Sequence, residues 1–122
     1  MENGHGVWND RSKRPQFQAA LIYEFLGTGL VTAAYNLGRH NGNVRAGAYL
    51  GGFLFAASVS GGHFNPATTL AVYLTEKERR DQNRTYLIWA MVVQLMGAFI
   101  GTLIAFLALK DYVAGAKNDY SD

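Results

Sequence analysis

The chain has 122 residues, enough for one domain, and no cysteine, so disulfides and thiolate metal sites are excluded. A formal charge of +2 is too small and too scattered to fit nucleic-acid binding, and 49% of the residues are hydrophobic. Charge gathers at the two ends and in two loops, which leaves long apolar segments between them.

Met1 to Gln16 is a polar lead that holds Arg11, Lys13 and Arg14. It shows no apolar core of a secretory signal, and Glu2 and Asp10 break the basic pattern of a transit peptide. Phe17 to Leu37 follows as a mostly apolar run long enough to cross a bilayer, and predicts the first span. Glu24 lies in its middle third. A charge at that depth is costly, so it is expected to face the protein interior and to have partners there. Two roles fit: satisfying backbone N–H groups of a buried loop, or acting directly on a solute or on protons.

After the short polar turn Gly38 to Asn43 comes a second apolar run, Val44 to Val59. It is short for a span, and Gly47, Gly51 and Gly52 are spaced for close helix contacts. Arg45, near its start, is expected to snorkel to the headgroups or to mark a helix tilted into a thin patch of bilayer.

The stretch Ser60 to Leu74 reads SGGHFNPATTLAVYL and changes character midway. Asn65 is a good N-cap, Pro66 a good first helical residue, and Ala67 to Leu74 continue as helix. The resulting helix, residues 65–74, spans roughly 15 Å at 1.5 Å per residue, half a bilayer. The glycine-rich lead Ser60 to Phe64 suits a loop, tolerated at membrane depth only inside protein or beside a water-filled cavity. Together these residues predict a re-entrant half-helix that aims its N-terminus at a polar site.

Thr75 to Arg84 (TEKERRDQNR) belongs in water, and the sequon Asn83-Arg84-Thr85 is taken as chance. Thr85 to Leu109 predicts the third span. Gln94, Gly97, Ala98 and Gly101 fall on one helical face, with Gly97 and Gly101 forming a packing seam and Gln94 an interhelical hydrogen bond to the loop. Lys110 to Asp122 reads as a polar tail.

Basic residues set the expected orientation. Arg11, Lys13, Arg14, Lys77, Arg79, Arg80 and Arg84 collect on one side, against Arg39, Arg45, Lys110 and Lys117 on the other. This places the N-terminus on the cytosolic side, or on the matrix side if the membrane is the mitochondrial inner membrane. Ser60 and His63 have no acidic neighbour and no nucleophile elbow, and His5, His40 and His63 are too dispersed for a metal site. No enzyme, cofactor or metal is expected. A soluble bundle is excluded because Leu87 to Leu109 offers no polar face.

The octapeptide SGGHFNPA at Ser60 to Ala67 resembles the first signature loop of the aquaporin (major intrinsic protein) family. Tyr23 to Thr28 (YEFLGT) resembles the glutamate motif of that family's first helix, and Gln94 to Ala98 with Gly101 resembles its third. The resemblance covers Phe17 to Leu109 and implies an all-α membrane protein: three transmembrane helices plus one re-entrant half-helix, half of an aquaporin-like fold. In such a family the pore forms from two inverted halves. Asn65, Pro66 and Ala67 then become the pore signature, and Gly61, Gly62, His63 and Phe64 line the inner vestibule. Counting back from Asn65, Arg45 stands where water channels carry an aromatic, a departure at the selectivity filter. One half alone would leave Glu24 and the loop facing lipid, so a protein partner is expected besides the lipids. It is either a complementary half that completes a channel for water or small neutral solutes, or the subunits of a larger membrane complex. A copy of the chain inserted upside down is disfavoured by the charge bias. In the second case, for instance in a mitochondrial respiratory complex, the chain is a non-conducting accessory subunit.

Overall fold

The computed structural model describes residues 16–38, 40–76 and 80–119, with 80–82 and 111–119 described by their backbone alone. The described residues form four helices and no strand: α1 Phe17–Leu37, α2 Gly42–Ala56, α3 Pro66–Thr75 and α4 Arg80–Asp119. Most of the polar lead, the end of the polar tail, and Arg11, Lys13, Arg14, Arg39, Lys77 and Arg79 on which the orientation rests lie outside the described residues, as does His5.

Among the described residues two helices are long and apolar enough to cross a membrane, Phe17–Leu37 and Asn83–Lys110. The second span predicted over 44–59 is instead a helix of 15 residues that starts two residues earlier. Asn41 sets that start, because its Oδ1 accepts hydrogen bonds from the N–H groups of Asn43 and Val44. The helix stops at Ala56, and the chain turns through 57–60 on the way to the loop. At about 22 Å, α2 is shorter than the hydrocarbon thickness.

The third span is longer than its apolar core. α4 takes in the charged residues from Arg80 and continues past Leu109 to Asp119, so the expected polar tail is largely helical. No proline interrupts the extensions, and their Arg, Gln, Lys and Ala are good helix formers that outweigh Gly115.

The main packing is α1 on α4, with α2 against α1 and α3 against α4. Glycines bring the first pair together. A Cβ on Gly97 would collide with the carbonyl oxygen of Phe25, and one on Gly101 with that of Gly29. The backbones touch because nothing stands between them. Gly47 and Gly51 do not repeat this on α2. Among the described residues an added Cβ at either would meet nothing within 4 Å, so they make no close helix contact there, and only Gly52 of that trio packs closely. The three glycines do share a sequence stretch, but among the described residues the main packing of α2 is against α1 alone.

Burial is inverted relative to a soluble bundle. The largest fully buried side chains are Gln94 and Glu24, while Leu54, Phe55 and Phe99 are each about 70% exposed (71%, 70% and 69%). The buried apolar cluster is small: Ala20, Tyr86 and Ala90, flanked by Phe17 and Leu21. An apolar outside around a polar centre suits a lipid surround.

Candidate functional site: the half-helix and its buried support

Residues 57–65 descend from α2 into the molecule and return as α3. Three of the four residues at 61–64 have positive φ: Gly61 (94°), Gly62 (63°) and Phe64 (50°). For the two glycines this is inexpensive, but for phenylalanine it is an uncommon conformation. Ser60 helps the turn, since its Oγ accepts from the Gly62 N–H at 3.1 Å. Above it the Tyr86 hydroxyl donates to the Ser60 carbonyl at 3.2 Å.

This twisted backbone points consecutive N–H groups into one concavity, the arrangement that binds anions elsewhere. Here the anion is built in. Glu24 is fully buried, and its Oε1 accepts from the His63 N–H at 3.0 Å while Oε2 accepts from the Phe64 N–H at 2.8 Å. Gln94 adds a third donor, its Nε2 lying 2.8 Å from Glu24 Oε2. One carboxylate thus joins α1, the loop and α4, with charge-assisted bonds that offset its removal from water.

The network continues into α3 through Thr69. Its Oγ1 accepts from Gln94 Nε2 at 2.8 Å, lies 3.2 Å from His63 Nδ1, and reaches the Asn65 carbonyl at 3.2 Å. A hydroxyl has one proton. When it goes to the Asn65 carbonyl, His63 must present Nδ1–H, so Thr69 ties the imidazole's tautomer to the half-helix. Thr69 and Tyr86 were not singled out in the sequence; Thr69 had a signal, its place one turn after the cap, whereas Tyr86 had none.

Asn65 stands at the exposed tip. Its backbone is extended (φ −154°), its Oδ1 accepts from the Ala67 N–H at 2.9 Å, and Pro66 fills the first helical position. With the oxygen committed to the cap, the amide Nδ2 is the group left to face outward, beside the positive end of the helix dipole. Ala67 and Gly61 are exposed as well, whereas Gly62, His63 and Phe64 are buried. The backbone of the loop shares the site, and the side chains of His63 and Phe64 serve its inner side.

Arg45 lies elsewhere, in the first turn of α2. It is half-buried, with its guanidinium carbon 5.0 Å from the centre of the Tyr35 ring, so it folds across an aromatic face. Both residues line a cleft of about 670 Å³ with Ala46, Tyr49, Leu50 and Phe53. The cleft approaches the loop, because Phe53 packs on Gly62 and the Tyr49 ring meets Phe64 edge-on at 6.1 Å. Asn83 is buried and donates to Glu76 Oε2 at 2.7 Å, which makes its sequon a packed contact. Among the described residues no cluster of His, Asp and Glu is arranged to hold a metal ion.

A family model described as major intrinsic protein matches residues 11–121. The chain belongs to that family. It is 31% identical to probable aquaporin PIP2-8 of Arabidopsis thaliana over 87% of its own length and 44% of that protein's. It is 30% identical to aquaporin-4 of Mus musculus, over 90% of its length and 36% of that protein's. The chain thus spans less than half the length of these curated relatives. No solved structure matches it at a significant level. As a major intrinsic protein it is an integral membrane protein from a family of channels, not of enzymes, and its helices form half of an aquaporin-like fold.

Proposed function

We propose that this chain supplies one half of a transmembrane pore for water or small neutral solutes, completed by a complementary second half. The carrying observation is Asn65: an exposed amide on the N-terminus of a half-length helix, its oxygen consumed by the cap and its position secured by the buried Glu24 carboxylate. A donor with a fixed direction beside a positive dipole end orients a passing dipolar molecule and repels cations and protons. A second half is needed because the exposed tip would otherwise present polar groups to lipid, at several kcal/mol each. The basic residues favour an N-terminus on the cytosolic or matrix side.

Arg45 favours a second reading. A guanidinium held across the aromatic cleft that leads to the loop would obstruct a passage there. In that reading the fold serves as a non-conducting scaffold in a larger membrane complex, with the pore surface turned into an interface.

Asn65→Asp separates the two. Aspartate caps a helix as well as asparagine does, so folding is preserved, while the outward donor becomes an anionic acceptor. Purification from the native membrane identifies the partners, and the assembly is then reconstituted. Osmotic swelling of the vesicles that falls to the empty-vesicle rate with Asn65→Asp supports the pore. Wild-type swelling no faster than empty vesicles, with co-purification of many subunits, supports the scaffold.

A further inference from the structure

We propose that Phe64 is the positioning residue for Asn65: its ring, keyed into a slot between Gly27 and Gly52, sets where the tip of the half-helix stands. Phe64 is the one non-glycine residue with positive φ among the described residues, at 50°. A bulky residue held there is strained and stays only where its surroundings dictate it.

The surroundings act on both its ends. Its N–H donates to Glu24 Oε2 at 2.8 Å, which ties the backbone to α1. Its side chain is buried at 4% exposure in a slot that exists only because two helix residues lack a Cβ. A Cβ on Gly27 of α1 would overlap the ring itself, and one on Gly52 of α2 would stand 3.1 Å from Cε2. The Tyr49 ring closes the slot edge-on, with 77° between the planes. The ring therefore reads the spacing of α1 and α2 and passes it on to the next residue in the chain, which is Asn65.

A plain space-filling role makes a different prediction. It ties the effect of substitutions to lost volume and leaves the tip where it is. A keyed ring makes the tip's position depend on how well ring and slot match, so that an error in one is corrected by an error in the other. The functional meaning rests on the pore reading. The test does not, because it reads the place of the half-helix whether or not anything passes.

The chain contains no cysteine, so one introduced thiol is its only reporter. Ala67→Cys places it in the exposed first turn of α3, and Leu74→Cys, also exposed, places a control near the far end. The full chain in detergent micelles, where the tip is open to reagent, is treated with a water-soluble thiol reagent, in wild type, Phe64→Leu, Gly27→Ala and the double variant. Each single change is expected to alter the rate at position 67 by a factor of about three or more, with the rate at 74 within about twofold, and the double variant to return it towards wild type, since touching residues couple. Unchanged rates at 67, equal changes at 67 and 74, or additive effects without recovery would each overturn the proposal. If Gly27→Ala does not fold, Gly52→Ala, whose clash is milder, replaces it in the same cycle.

Discussion

Glu24 and Gln94 are seventy positions apart in the chain, and their side chains meet at 2.8 Å in a fully buried pair. The contact is asymmetric. Glu24 accepts from three donors, two on the loop and one on Gln94, whereas Gln94 uses its Nε2 twice and its Oε1 makes no hydrogen bond. Removing one partner is therefore a different event from removing the other.

Glu24→Gln keeps the shape and loses the charge. Its amide nitrogen has to face one of three donors, so at least one buried N–H is stranded. A loss of about 2–4 kcal/mol is expected from the charged bonds and the stranded donor. Thermal unfolding in detergent measures it, and a melting point equal to wild type would remove Glu24 from the support of the loop.

Gln94→Leu is expected to be milder, at about 1–2 kcal/mol. It takes one donor from Glu24 but leaves the two loop N–H groups in place, and it removes the oxygen that has no partner. The ordering is the prediction: if Gln94→Leu melts below Glu24→Gln, Gln94 rather than the carboxylate is the centre of the network.

The glycines divide by what lies opposite them. Gly97→Ala and Gly101→Ala push α4 from α1 against backbone oxygens that cannot rotate away, and should each cost about 1–3 kcal/mol as overpacking. Gly47→Ala meets open space and should be neutral or stabilising by up to about 1 kcal/mol, through helix propensity. The same melting assay reads all three, and a destabilised Gly47→Ala would mean that a partner chain touches α2 there.

Tyr86→Phe removes only the hydroxyl that donates to the Ser60 carbonyl. A loss of about 0.5–1.5 kcal/mol is expected, without change in α4. Hydrogen exchange should speed up at 60–62 and stay constant at the α1–α4 seam; a uniform acceleration would contradict this local role.

Much of this arrangement was legible before any coordinates. Asn65-Pro66 announces a helix start by local chemistry alone, and a glycine pair after an apolar run announces a turn. Glu24 was conspicuous because a carboxylate amid leucines and phenylalanines has few tolerable environments. What stayed hidden depends on facts that local sequence does not carry. The start of α2 after Asn41 turned on the bonds of one side chain within a stretch that otherwise reads as turn. Gly47 and Gly51 looked like contact residues because spacing tells which face they share and not whether a neighbour occupies it. The extension of α4 to Asp119 runs on without a proline to stop it and through Gly115, which polarity had masked. The left-handed Phe64 is legible only once Gly27 and Gly52 stand on either side of it.

The Glu24 network also sets a timetable for biogenesis. The carboxylate emerges from the ribosome forty residues before the loop and seventy before Gln94. Until the loop follows, α1 carries an acidic group with none of its final donors, and until α4 follows the network lacks its third donor, Gln94. The network around the half-helix is complete only once α4 enters, brings Gln94 and closes the glycine seam, a long-range event for so short a chain. During that interval the newly made chain is the form most in need of an insertase or chaperone to shelter its polar middle.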